Sequence, residues 1–396
     1  MITKINGHYY NLTDFKHPGG DIAISHAKNR DATILFNTYH PFNKHTILKR
    51  IEKYKIDEPK TNKIITPKQF KFDSEFSNEL IKEVSIYFKN KSNKADTTKW
   101  LYIYITTSLH IISLYYFILG YQLAIFIEPF LAWISSVNYF HDACHFALIN
   151  NDFINTFFMY HAMFLSQPYD WFHQHNLGHH SYTNIKGIDP DSHSNTMTKT
   201  IVKLGKKYNI SYKPILLFIW SIAVYDLLFI EPVKSYMNNY YNNNNLLFDK
   251  NNTYIAICIL FKCIYVLIYL IIPIYHYSFP LCLLYVLISR SIFSCLFMTF
   301  TQVSHNQIIL NGNNKDWYKH QLLTTSNYAT NNRLLFYLSG GLTNQIEHHL
   351  FPFINHCHLP NIQPIVKRVC KKHGVLYIEY STYQKAFNHY IKYLLT

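Results

Sequence analysis

The sequence predicts two structures in tandem: a small folded module at the N-terminus and, behind a polar linker, an all-α body that crosses a membrane about four times. Three observations predict this. LYIYITTSLHIISLYYFILG (101–120) carries no formal charge and is roughly 30 Å long as a helix, which matches a bilayer core. Comparable runs follow at 121–140, 254–277 and 279–300. Residues 58–98, from EPKTNK to KSNKADTTK, are polar and charged and separate this body from residues 1–57.

Taking the chain in order, 1–57 is the folded module and 58–98 a linker with room for a helix or two; 99–396 is the membrane body. Two shorter apolar stretches, 153–166 and 214–230, are broken by Asp or Glu and read as helices on or near the membrane face. NNYYNNNNLLFDKNN (238–252) reads as a solvated low-complexity loop. The short connectors near 120 and 276–279 lack Lys and Arg, whereas the N-terminal region, KTIVKLGKK (199–207) and KRVCKK are basic. The positive-inside rule then places both termini and the central loop in the cytosol.

Composition excludes more than it identifies. Hydrophobic residues are 49% and the net charge is +14, yet no basic helix or nucleic-acid motif accompanies that charge. An anionic membrane leaflet is the better partner, and nucleic acid is not expected. The seven cysteines are odd in number and form no CxxC pair, against a disulfide framework or zinc knuckle and in favour of a reducing compartment. MITKINGHYY has no signal-peptide core, so membrane entry is expected from the later segments.

The chemistry is carried by histidines. HDACH (141–145) places His141 and His145 four apart, on one face of a helix at the end of the second span. HNLGHH (175–180) repeats that spacing in His175 and His179, with His180 adjacent. QIEHH (345–349) supplies His348 and His349 with Gln345 before them, and His305 lies just past the fourth span. All fall on one membrane side, and eight imidazoles exceed the needs of one ion, so two metals sharing them is the economical reading. Structural zinc would need only four ligands. A hydrolytic dizinc site would want a bridging carboxylate, which is missing at any clear ligand position. Asp142, Asp189, Asp191 and Glu347 suit the role of accepting the outer N–H of a ligating imidazole. A nitrogen-rich pair that must reach a high oxidation state suggests two irons activating dioxygen. His161, His173, His193, His320, His356 and His358 are read as ordinary core residues.

These three clusters resemble the histidine boxes of membrane fatty-acid desaturases, and the Gln that opens the third resembles the front-end group. The longer phrase HNLGHHSYTNIKGIDPD is similar to the second-box region of polyunsaturated acyl desaturases. By that resemblance His141, His145, His175, His179, His180, His305, His348 and His349 hold two non-haem irons, with Gln345 lining the site. One departure is visible: related acyl-CoA desaturases have Asn four residues before the His305 equivalent, where this chain has Thr301.

DFKHPGG (14–20) resembles the haem-binding signature of cytochrome b5, with His17 and His40 as axial ligands of haem b. Pro18, Gly19 and Gly20 make a tight turn, and two imidazoles saturate the iron for electron transfer. His26 and His45 are the rivals to His40. The resemblance implies an α+β haem domain followed by a helical desaturase with a cytosolic cap, in the endoplasmic reticulum and fed by cytochrome b5 reductase. The implied reaction uses O2 to place a cis double bond in a lipid or acyl-CoA chain, delta-5 first and delta-6 or delta-4 next. Trp133, Tyr139, Phe140, Trp171 and Phe172 are candidate tunnel liners. A sphingolipid delta-8 desaturase or an acyl hydroxylase are the alternatives. From a different class, the chain would be a membrane-anchored haem electron carrier with an inactive body.

Overall fold

A computed structural model describes residues 1–59, 64, 68–161, 171–225, 252–307 and 314–396. The N-terminal module is α+β. Strands β1 (Ile2–Ile5) and β2 (His8–Asn11) form an antiparallel hairpin, and β3 (Lys55–Ile56) adds to β2. The hairpin closes through Asn6 and Gly7, both at positive φ, which the Asn-Gly pair accommodates without strain. Helices α1 (Gly20–Ser25), α2 (Thr33–Tyr39) and α3 (Lys44–Ile51) pack on it around Ile5, Tyr10, Leu12, Phe36 and Ile51.

The segment expected as a linker is partly folded onto the body. Helix α4 (Glu75–Tyr87) starts where the Ser74 hydroxyl accepts the Ser77 amide, and it buries Phe76, Leu80 and Val84 at helical spacing. It lies against the helix Leu359–Lys372, with Arg368 at 2.7 Å from Glu83 and Lys372 at 2.7 Å from Glu79.

In the body, α5 (Thr97–Ile118) and the segments Ile255–Tyr275 and Phe279–Thr301 are long and apolar enough to cross a membrane. The stretch 121–140, expected as a span of the same kind, forms helix α6 (Ala124–Cys144) but does not meet that measure among the described residues. It is buried without a break from Ala132 to Cys144, and it carries Glu128, Asn138 and Asp142. It is the inner member of the bundle, while α5 turns Leu101, Ile105, Leu109 and Ile112 outward. The third span is α-helical over Asn252–Val266, then loosens through a π turn and ends in a 3-10 turn holding Pro273. The two shorter apolar stretches appear as helices α7 (Asp152–His161) and Tyr212–Tyr225. Their distal parts, 162–166 and 226–230, and nearly all of the Asn-rich stretch 238–252 lie outside the described residues.

Candidate metal centre and haem site

Each histidine box is mounted differently. The first closes α6: His141 projects from its last turn, and the His145 amide bonds back to the His141 carbonyl, so both side chains inherit the rigidity of a buried helix. The second lies on a π-helix, Phe172–His179, in which the His180 amide reaches the His175 carbonyl five residues back. The widened turn puts residues five apart on one face. His175 therefore shares a face with His180, whereas the i, i+4 spacing had predicted His175 with His179. The third box is on the short helix Gln345–Leu350, where adjacent residues point about 100° apart, so His348 and His349 diverge. Gly341 precedes it at φ 95°, and a Cβ there would meet His356 at 2.7 Å, so only glycine lets the loop pass.

The result is two adjoining groups. His141, His145, His175, His180 and His348 form one, and His179, His305 and His349 the other; within each, candidate ligand atoms lie within 4.8 Å of one another. The His180 and His349 rings, stacked 4.1 Å apart, join the groups. All eight side chains are 9% exposed or less. Gln345, also buried, brings its amide to 3.1 Å from Nε2 of His305, and its Oε1 has no protein partner among the described residues.

These residues fit a pair of metal ions. Nε2 of His175 is 2.8 Å from Nε2 of His141 and 3.1 Å from Nε2 of His180, which is itself 3.1 Å from Nε2 of His348. A neutral imidazole nitrogen offers one lone pair or one N–H, so His175 and His180 cannot satisfy both neighbours by hydrogen bonding. An ion accepting every lone pair can. Burial first, then mutual repulsion, holds His145, His175, His180, His348 and His349 well below the ordinary imidazole range, which keeps them neutral as ligands must be.

In the N-terminal module, the rings of His17 and His40 face each other with centroids 5.9 Å apart. They line a cavity of about 720 Å³ with Phe15, Leu35, Phe36 and Ile47. The Gly19 amide reaches Nδ1 of His17 at 3.0 Å, and a Cβ on Gly19 would touch that ring at 3.0 Å. Burial lowers the His17 pKa, and burial with the neighbouring His17 and Lys94 lowers that of His40 to about 4. Two opposed neutral imidazoles across an apolar cavity suit a haem. His26 lines the same cavity, but its ring is packed against Phe172 and His173, with centroids 5.0 and 5.4 Å away, and His45 is exposed.

Comparison with known proteins agrees with both halves. The fatty acid desaturase family model matches residues 92–381, and the model for the cytochrome b5-like haem/steroid binding domain matches residues 2–58. The chain belongs to the fatty acid desaturase family. It is 29% identical to the "Probable Delta(5) fatty acid desaturase C" of Dictyostelium discoideum, over 99% of this chain and 90% of that one. It is 30% identical to the "Acyl-lipid (8-3)-desaturase B" of the same organism, over 98% and 89%. The "Acyl-lipid (8-3)-desaturase" of Mortierella alpina is 26% identical over 100% and 93%. No solved structure matches. The protein is thus a membrane-integral oxidoreductase with a fused cytochrome b5-like module.

The desaturase surrounds its imidazoles with oriented acceptors. Nδ1 of His179 is 3.3 Å from Asp189 and 3.4 Å from Asp191; burial opposes a charge there, but the two carboxylates raise its pKa to about 9. Nδ1 of His349 is 3.0 Å from Oε1 of Gln321, and Nδ1 of His305 is 3.2 Å from the Thr324 carbonyl. Asp142 acts at one remove. It is 3.1 Å from His356, whose Nε2 is 3.1 Å from Nδ1 of His348, while Lys99 balances Asp142 at 3.3 Å. His356, read from sequence as an ordinary core residue, thus belongs to this shell.

Glu347 does not face an imidazole acceptor site. Its carboxylate accepts from Asn327 at 2.8 Å and Tyr377 at 2.7 Å, fixing the third-box helix, and burial raises its pKa to about 7. The other histidines fill core roles: His161 bonds Tyr139, His320 the Thr183 carbonyl and His358 the Lys94 carbonyl, while His173 stacks on His26. The His193 side chain lies outside the described residues. Thr301 gives its hydroxyl hydrogen to the Phe297 carbonyl at 2.9 Å and accepts from the Gln302 amide at 3.3 Å, so its oxygen is engaged by neighbours on its own segment. Of the proposed liners, Trp171 touches the site, 4.7 Å from the His175 ring; Trp133 stacks on Phe300 and Phe172 on Phe146, Phe140 meets Trp171 edge to face, and Tyr139 is committed to His161.

Proposed function

We propose that this desaturase is a front-end enzyme that places a cis double bond in a polyunsaturated acyl chain, delta-5 first and delta-6 or delta-4 next. The observation that carries the reading is the convergence of eight imidazoles from distant positions into two adjoining groups, next to a haem-type cavity on the same chain. The printed name of one Dictyostelium relative, a probable delta-5 desaturase, supports the delta-5 preference. The division we propose is 1–57 for the haem module, 58–98 for the connection and 99–396 for the desaturase, in the endoplasmic reticulum with both termini and the boxes cytosolic. Cytochrome b5 reductase is the proposed electron donor.

In this reading His17 and His40 hold haem b. His141, His145, His175, His180 and His348 hold one iron, and His179, His305 and His349 the other, with Gln345 beside the second. When bound, these groups supply electrons and dioxygen activation, so that one O2, two electrons and two protons with one –CH2–CH2– give –CH=CH– and two waters. The chain's own residues do the rest. Asp189 and Asp191 hold His179 in one orientation, and His356 does the same for His348. The apolar wall of Phe140 and Trp171 excludes water beside His175 and restricts which methylenes can approach.

The test is expression of the full chain in yeast fed separately with linoleic, dihomo-gamma-linolenic and eicosapentaenoic-series acids, with new double bonds located by mass spectrometry. A delta-5 bond on the twenty-carbon substrate supports the reading. A hydroxylated product, a delta-8 bond on sphingolipid, or haem-replete protein without iron or product would each overturn it.

A further inference from the structure

The haem-type cavity is not closed by the N-terminal module alone. Its wall continues into the desaturase body through Asn93, Lys94, His145, Phe146 and Asn176. The module is seated there by side chains rather than held only by its connection: the Phe42 ring meets Phe353 at 5.1 Å, and His26 meets Phe172 at 5.0 Å. Within this seam one contact stands apart. Tyr39, the residue before His40, brings its hydroxyl to 2.8 Å from Nδ1 of His145. The other ring nitrogen of His145, Nε2, is buried and has no hydrogen-bond partner among the described residues, and His145 belongs to the five-histidine group.

We propose that Tyr39 is the positioning residue that couples the two prosthetic sites, and that electrons enter the metal pair at the five-histidine group through His145. This rests on the function proposed above. With Nε2 given to a metal, Nδ1 carries the ring hydrogen and donates it to the Tyr39 oxygen, which fixes the tautomer and the ring plane. The path from the haem ligand His40 to the metal ligand His145 is then one stretch of covalent bonds and one hydrogen bond. Electron transfer weakens far less along such a path than across a gap. Each transfer moves one electron: ferrous haem becomes ferric, one ferric ion of the pair becomes ferrous, and no proton or bond moves. The haem is reduced again by a pyridine-nucleotide-dependent flavoprotein. Tyr39 is not itself oxidised.

The test uses full-length holoenzyme and Tyr39→Phe, which removes the hydroxyl and keeps the ring. The readout is the decay of the reduced-haem visible band after mixing with acyl substrate and O2, divided by bound non-haem iron. The expected result is a roughly 10–100-fold slower decay with the haem spectrum unchanged. A second measurement reduces the iron pair with dithionite and a small mediator, bypassing haem; single-turnover product per bound non-haem iron should then equal that of wild type. Wild-type haem decay in the variant overturns the coupling alone, as does a deficit in the mediator experiment, which would mean the site itself is damaged. A wild-type protein without non-haem iron or mediator-driven product would remove the proposed function and this inference together.

Discussion

Glu128 offers a test of how the body is held together. It is fully buried in α6 and gathers partners from three other helices: an ion pair with Arg290, hydrogen bonds from Ser289 and Tyr269 at 2.7 Å each, and His110 at 3.4 Å. Arg290 is equally buried and lies over the Tyr269 ring at 4.6 Å. Glu128→Gln keeps the volume but leaves a guanidinium uncompensated in a low-dielectric bundle. Breaking one partner of such a pair costs about 3–5 kcal/mol. Arg290→Met is expected to cost less, because a lone carboxylate can escape by protonation and a guanidinium cannot. The double variant Glu128→Gln/Arg290→Met removes both charges and should recover most of the loss. The assay is a double-mutant cycle on unfolding of detergent-solubilised protein. A Glu128→Gln protein as stable as wild type, or a double variant showing the sum of both losses, would refute the reasoning.

Three further outcomes follow from the same geometry. Asp189→Asn keeps a helix cap for Pro190–Lys207 but removes the charge facing His179; metal analysis should find affinity at the three-histidine group down roughly 10–100-fold, and two irons bound as tightly as in wild type would contradict this. Thr301→Ala should leave metal content unchanged, since its hydroxyl is engaged by Phe297 and Gln302, and a loss of iron would assign Thr301 a ligand role. Burial, opposed by the Ile22 carbonyl and reinforced by Arg30, lowers the His26 pKa to about 4. The unfolded chain then binds more protons than the folded one between about pH 6.5 and 4, so this residue's contribution is complete above that window and lost as pH falls through it. It is worth on the order of 3 kcal/mol at most, and the acid-side slope of the melting midpoint should flatten in His26→Phe.

Why some of this was legible in the sequence and some was not has a physical explanation. The histidine boxes could be read because metal ligands must be of a few residue types at close spacing, and the apolar runs because a bilayer demands uninterrupted length. What the sequence hid was set by backbone geometry and by contacts remote in the chain. HNLGHH reads as an α-helical i, i+4 pair, but the π register regroups it, so His175 goes with His180 and His179 goes elsewhere. No residue in that stretch announces the wider turn. The outer shell was hidden differently. His356, Gln321 and Tyr39 look like unremarkable core residues, and each matters only because folding brings it from 8, 28 or 106 residues away to an imidazole. The same holds for α6, whose hydrophobicity suggested a span like the other three. Its Glu128, Asn138 and Asp142 are tolerable only inside a bundle that supplies Arg290, Lys99 and backbone partners. A helix so placed carries the first box into the centre of the protein. That is why His141 and His145 end where the other two boxes can reach them, and why His145 is also the imidazole that the haem module touches.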